Sequence, residues 1–364
     1  MFRKPTAAAA QGPDASITDT APCQKALRLR VGRDAIVPVR GAVLAEFQRQ
    51  AALPGFRKGK APAGLVEQRY AKDIQDETLQ RVTRQAFEQV AQAHGLKPVG
   101  PFEVRAMNFS ETDGLTLEAT VEVEPSFALG SYKGVPLARP SAEVAPQEME
   151  RALAALQESM ARLAPAKTGE GKERQVPALD EELAKDLGYQ SLSALREHVA
   201  AKLREQKRTA QAQALETALC DELLKRHPFE VPAGLVAHQT ERLTRDFKVR
   251  LLLSGVPEGE VDGKVAQFAD QLRTSAARHV KLAFILDRIA AQESMAVTQD
   301  ELVKRLWQLA QRWKKDPAQV RQLFDAQGLW PSVVSAIRQE KTIAFLLSAA
   351  TITDTVPEPR GGTS

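Results

Sequence analysis

Pro54-Gly55-Phe56-Arg57-Lys58-Gly59-Lys60-Ala61-Pro62 decides how the first third of this 364-residue chain is read. Upstream, Val39, Val43, Leu44 and Phe47 recur at helical spacing from Asp34 to Leu53, and Pro54-Gly55 stops that helix. Downstream, Pro62 is suited to the first turn of a second helix. Its apolar pattern through Leu65, Val66, Ile74, Leu79, Val82, Ala86 and Val90 carries it to about His94, with Gly95 as its stop. Further out, Ala26-Leu27-Arg28-Leu29-Arg30-Val31 alternates with the period of a half-buried strand. Asp113-Gly114 marks a hairpin between strands at 102–109 and 115–123. Residues 23–130 therefore read as strand, helix, loop, helix and hairpin, an α+β unit with a basic loop at a helix junction.

The rest is helical by composition and spacing. Ala, Leu, Gln, Arg and Glu recur throughout and aromatic residues make up only 5%, which predicts an α+β protein that is predominantly helical. Met149, Leu153, Leu156, Met160 and Leu163 form a short heptad seam, read as intramolecular packing because it spans barely two heptads. Helices are expected at 179–187, 192–227, 233–255, 258–291, 299–314, 317–327 and 331–350. The expected organisation is a disordered tail at 1–22, an N-terminal domain at 23–140, a connecting helix at 141–163, a polar linker at 164–178, a helical domain at 179–355 and a second disordered tail at 356–364.

Charge is unevenly divided. Residues 1–140 hold 19 Lys and Arg against 15 Asp and Glu, whereas the remainder holds 31 of each, so the net +4 lies wholly in the first part. An anionic partner there is the corresponding expectation. Apolar runs such as Phe284-Ile285-Leu286 are far too short to span a bilayer, and the first residues lack a secretory apolar core. Two cysteines 197 positions apart suit a reducing compartment, with the cytoplasm as the default.

Little in the sequence suggests catalysis. Gly55 to Lys60 lacks the spacing and the Ser or Thr of a phosphate-binding loop. His94, His198, His227, His238 and His279 show no metal-ligand spacing, and neither metal nor cofactor is expected. Cys220 and His227 on one helix would lie about 10.5 Å apart along its axis, too far for a nucleophile and its base. What remains is the loop itself, where Phe56 offers a stacking or pocket-filling ring and Arg57, Lys58 and Lys60 offer phosphate contacts.

The run from Gly55 to Pro62 resembles the ribosome-docking signature of the trigger factor family of bacterial chaperones. Gln68-Arg69-Tyr70 and Val121-Glu122-Val123-Glu124-Pro125 resemble the same family's N-terminal domain. Val231-Pro232 with Leu235, the segment from Leu282 to Ala290 leading to Val297-Thr298, and Ala349-Ala350-Thr351-Ile352-Thr353 resemble its C-terminal helical domain. The resemblance implies a cytoplasmic, partly ribosome-associated chaperone. It would dock on exit-site protein and rRNA through Gly55, Phe56, Arg57, Lys58, Gly59 and Lys60, and hold nascent or unfolded polypeptides to aid folding and export. A homodimer off the ribosome belongs to the same expectation. Met160, Met295, Trp307, Trp313, Phe324 and Trp330 are candidate client contacts.

The chain also departs from the family pattern. The family carries an FKBP-like prolyl isomerase domain of about 100 residues between these two parts, whereas this chain has only 164–178 there. From Ser141 to Pro228 the one aromatic residue is Tyr189. No isomerase activity is therefore expected. An RNA-binding or ribosome-assembly accessory is the alternative reading, and a family-type isomerase ranks below both.

Overall fold

The computed structural model describes residues 13–110, 112–165 and 172–354. In chain order the elements are β1 (Asp14–Ala21), β2 (Gln24–Val31), α1 (Arg33–Gln50), α2 (Ala63–Arg69), α3 (Ala71–Ala93), β3 (Glu103–Ser110), β4 (Gly114–Glu122), β5 (Pro136–Arg139) and α4 (Pro146–Ser159). They continue with β6 (Arg162–Pro165), β7 (Lys172–Gln175), α5 (Glu181–Asp186), α6 (Leu192–Arg226), α7 (Ala233–Leu253), α8 (Glu258–Gln267) and α9 (Ala269–Gln292). Last come α10 (Gln299–Trp313), α11 (Pro317–Gln327), α12 (Trp330–Ser348) and β8 (Thr351–Asp354). The α+β, mainly helical reading holds.

The chain divides into two compact units, one of residues 1–128 with 228–284 and the other of 129–227 with 285–364. In the first, an antiparallel sheet of order β1-β2-β4-β3 presents Leu27, Leu29, Val31, Leu115, Leu117, Ala119 and Val121 on one face. These side chains are buried with Leu79, Val82, Ala86, Phe87 and Val90 of α3, so the period of two on the strands meets the period near 3.6 on the helix in one core. The opposite sheet face is charged, with Arg28 paired to Glu118 across β2 and β4.

The sequence expectation for 1–22 fails within the described residues. Asp14–Ala21 forms an edge strand, and Pro22-Cys23 turns it back onto β2 with Cys23 in the left-handed region (φ 60°). Two helices also break earlier than their patterns suggest. The backbone leaves helical geometry at Tyr70 (φ −116°, ψ 27°) between α2 and α3, and at Phe268 (φ −103°, ψ 6°) between α8 and α9.

The expected helical domain is not one contiguous piece, because 228–284 belongs to the first unit. Within it the segment before α7 is held at the ends of the strands. Glu122 accepts a hydrogen bond from the Gly234 N–H at 2.6 Å, the Cys23 thiol donates to the Glu230 carbonyl at 3.3 Å, and the Phe127 and Phe229 rings stack at 4.1 Å. Burial, then the Glu122 and Glu230 carboxylates, push the Cys23 thiol pKa up, which keeps it protonated and unreactive.

In the second unit α6 packs against α4, α5 and α12, burying Leu153, Leu183, Leu195, Leu219, Leu223 and Leu346. Helix starts are capped where the sequence supplies polar residues. Asp180 and Ser191 accept from the first-turn amides of α5 and α6, and Thr298 and Glu301 bond reciprocally at the start of α10. The expected connecting helix is shorter, since α4 ends at Ser159. The expected linker is a β6–β7 hairpin with Arg162 opposite Gln175, and the stretch read as a connector after Leu137 contains β5, paired in parallel with β8. Residues 355–364, expected to be a tail, lie outside the described residues.

Candidate functional site

The loop at 51–62 is built from two consecutive tight turns. Helix α1 ends where Ala51 turns extended (φ −61°, ψ 130°) while its N–H still donates to the Phe47 carbonyl at 2.8 Å. Leu53-Pro54-Gly55-Phe56 closes with the Phe56 N–H on the Leu53 carbonyl at 3.0 Å. Arg57-Lys58-Gly59-Lys60 closes with the Lys60 N–H on the Arg57 carbonyl at 2.9 Å. In each the third residue is glycine at positive φ, +85° for Gly55 and +79° for Gly59, the pattern of type II turns that glycine adopts without steric cost. The glycines and Pro54 thus shape the loop, and the residues between them point their chemistry outward.

The base is fastened to the protein. The Gly59 N–H donates to the Ala51 carbonyl at 3.2 Å, and the Gln48 side-chain amide donates to the Ala61 carbonyl at 2.8 Å, so both limbs are tied to the last turns of α1. Ala51, Ala61 and Val66 are buried together under Leu44, Phe47, Leu53 and Tyr70. One turn back, Arg81 of α3 grips both carboxylate oxygens of Glu46 at 3.0 and 2.7 Å and also Glu77 at 2.6 Å. That guanidinium holds the Glu46 carboxyl below the usual carboxylate range.

Above this base Phe56 is 42% exposed, and Arg57, Lys58 and Lys60 are exposed with no ion-pair partner among the described residues. An aromatic ring and three cations on a braced loop suit a surface that offers both phosphates and an apolar pocket.

The six candidate client contacts separate. Trp307 and Trp313 on α10 are 54% and 43% exposed. Phe324, by contrast, is a core residue at 3% exposure, buried with Ala310 and Val320 and set edge-on to Trp313 at 6.1 Å and Trp330 at 5.4 Å. Trp330 is half-buried and donates from Nε1 to Asp325 at 2.7 Å. Met295 is half-buried, its sulfur accepting from the Thr342 hydroxyl at 3.4 Å. Met160 is half-buried beside Pro177 and Leu183 in a cavity whose rim carries Asp180, Glu182 and Asp186.

Sequence reasoning missed a further group. Val249, Leu252, Leu253 and Phe268 of the α7–α8 region are exposed, Leu253 to 83%, and α7 has no buried residue at all. A signal was present, because three consecutive leucines at 251–253 cannot all face one side of a helix.

An α+β domain with a braced basic-aromatic loop, together with helices that leave large apolar side chains in water, suits a polypeptide-binding protein of the chaperone type. Comparison with known proteins specifies the class. The model for the N-terminal part of the bacterial trigger factor protein matches residues 14–156, and the model for its C-terminus matches 191–348. The chain belongs to the trigger factor family. The trigger factor of Anaeromyxobacter sp. (strain Fw109-5) is 23% identical over 424 residues, covering 92% of this chain and 98% of the relative. That of Opitutus terrae is 24% identical over 436 residues, covering 94% and 98%. Both alignments are longer than this chain, so each relative carries residues that have no counterpart here. A solved structure from work on promiscuous substrate recognition in folding and assembly by the trigger factor chaperone shares the fold. Its TM-score is 0.50 at 17% identity, covering 92% of this chain and 99% of that one.

Proposed function

We propose that this chaperone docks at the ribosomal exit through Phe56, Arg57 and Lys58, with Lys60 in support, and holds unfolded segments on exposed apolar helix surfaces. The observation that carries the reading is the loop: two glycine turns fastened at their base and bearing an exposed ring and three cations without an ion-pair partner among the described residues. Exit-site protein would meet the Phe56 ring, and rRNA phosphates would meet the cations. Client contacts fall to Trp307 and Trp313 on α10 and to Val249, Leu252, Leu253 and Phe268 on the α7–α8 region. Scattered apolar patches bind many sequences weakly, which lets clients leave.

The same reading makes the protein a non-catalytic, cytoplasmic member of the family that self-associates when off the ribosome. Supporting the absence of isomerisation, the two family matches leave only 157–190 between them, and that interval holds two four-residue strands and the short helix α5. Among the described residues no helix is long and apolar enough to cross a membrane.

Replacing Phe56, Arg57 and Lys58 with Ala should abolish ribosome co-sedimentation while leaving the thermal unfolding curve unchanged, and docking of the parent should weaken as salt rises. A triple variant that pellets as well as the parent sinks the docking assignment. In a proline-limited refolding assay the slow phase should keep its rate at every chaperone concentration. Acceleration that persists when contaminating isomerases are inhibited would overturn the non-catalytic reading.

A further inference from the structure

Beyond the loop, the N-terminal domain contains a cavity of about 300 Å³ where the first half of α1 crosses the start of α3 beside the β3–β4 turn. Ile36, Leu79 and Phe109 give it an apolar wall beside buried Thr78, whose hydroxyl donates to the Ile74 carbonyl at 2.6 Å; Gln75 and Ser110 also line it, and Val37 is 55% exposed. Arg33 and Arg40 stand on the same side, because 33, 36, 37 and 40 are spaced as one face of a helix. The two arginines differ. Arg40 is paired with Glu67 at 2.9 Å, whereas Arg33 is exposed and has no ion-pair partner among the described residues. In the adjacent turn Asp113 is occupied by the Ser110 and Thr112 hydroxyls at 3.2 and 3.1 Å, and the turn's other acid, Glu111, lies outside the described residues.

A hollow with an apolar wall, and at its lip a guanidinium without an ion-pair partner among the described residues, is complementary to a large apolar side chain flanked by a carboxylate. The geometry points to a subsite for unfolded polypeptide segments in which Asp or Glu neighbours Phe or Leu, the apolar side chain entering over Ile36 and Leu79 and the carboxylate meeting Arg33. This rests on the chaperone reading above and assigns the N-terminal domain a client chemistry of its own. The site is separate from the docking loop: from Val37 to the end of α1 at Gln50 the helix runs about 20 Å. An RNA phosphate would satisfy Arg33 but leave the apolar wall without a partner, so a peptide fits better.

Fluorescence anisotropy on the full chain tests the assignment, using a labelled heptapeptide with Leu-Glu-Phe at its centre and a Leu-Gln-Phe isostere. The Glu peptide should bind about fivefold more tightly, the upper end for an exposed ion pair. Arg33→Gln should remove that preference while leaving the Gln peptide's affinity unchanged, and Val37→Ser should weaken both peptides. Equal binding of the two peptides by the parent, an equal loss of both in Arg33→Gln, or displacement of the peptide by tRNA would each overturn the subsite. Ribosome co-sedimentation and aggregation suppression by the parent report on the underlying reading separately, and co-sedimentation should be unaltered in Arg33→Gln.

Discussion

Gly55 and Gly59 occupy equivalent places in two successive turns, and their surroundings predict different costs for the same substitution. Alanine at either site must hold a positive φ, at about 1–2 kcal/mol. A Cβ on Gly55 would meet nothing within 4 Å, so that cost is the whole of it. On Gly59 the Cβ would lie 3.0 Å from the Arg49 carbonyl oxygen and 3.6 Å from its carbon. Those atoms belong to the last turn of α1 and cannot swing aside as a side-chain end would, so a further cost of about 1 kcal/mol is expected. Relief of the contact would stretch the Gly59 N–H bond to Ala51, which ties the second turn to the helix. Gly59→Ala should therefore open the loop more readily than Gly55→Ala by about 1 kcal/mol, or about fivefold in the opening equilibrium. Amide hydrogen exchange at Lys60, whose N–H closes the second turn, reads this directly. Ribosome affinity should fall in the order parent, Gly55→Ala, Gly59→Ala. Equal exchange in the two variants would refute the role given to the Arg49 carbonyl. Faster exchange with undiminished docking would refute the claim that docking needs a braced loop.

Other residues give sharper contrasts of stability with function. Phe324→Ala should destabilise the α10–α12 region by about 3–5 kcal/mol by emptying its core, whereas Trp307→Ala should leave thermal unfolding unchanged and reduce suppression of aggregation. His227 is buried, accepts from the Gly130 N–H at 3.0 Å and donates from Nδ1 to the Leu223 carbonyl at 2.7 Å. His227→Ala strands both partners and should cost about 2–4 kcal/mol in a urea titration. Hydrogen bonds from Lys133 and then Tyr132 hold the Glu293 carboxyl below its ordinary value of 4.5. A depressed carboxylate stabilises the fold above that value and loses its contribution as pH falls through the folded-state pKa. Glu293→Gln should accordingly lower the urea midpoint at neutral pH and narrow its gap from the parent in acid.

The loop was legible in the sequence because proline and glycine announce turns locally, and each occupies the turn position its chemistry favours. Burial of the β2, β4 and α3 faces was legible for a similar reason, since one side of each element is mainly apolar, with Thr78 and Thr83 the polar exceptions on α3. The first strand was not. Asp14 to Ala21 places only Ala15 and Ile17 against the core, and its turn relies on Cys23 at positive φ, a residue that gives no turn signal. Pairing at long range was also invisible. Leu137 lies opposite Ile352, and nothing local to either strand specifies the other. Phe324 could not be assigned from its helix alone. Val320, Leu323 and Phe324 form an ordinary apolar face of α11, and only contact with Trp313 and Trp330 shows which of them is enclosed. The run of leucines at 251–253 was readable as an excess of apolar surface, but what leaves Leu252 and Leu253 uncovered is the absence of a packing partner among the described residues, which is a property of the fold.

The β6–β7 pair occupies the interval between the stretches that match the family's N- and C-terminal models. Antiparallel pairing of Arg162 with Gln175 brings the two strands within about 5 Å, so the chain leaves and re-enters at one place. The Gln157 side chain reinforces that closure by donating to the Pro177 carbonyl at 3.1 Å. The helices on either side have attachments of their own. Leu153 of α4 is buried and Glu148 pairs with Lys207 of α6 at 2.5 Å, while Leu183 and Ala184 bury α5. A domain whose own termini lie close together can be inserted at such a point, or removed from it, without moving either helix. The loop proposed to dock the chain and the helices α7, α8 and α10 proposed to hold its clients all lie outside 157–190, so neither proposal depends on what occupies that interval.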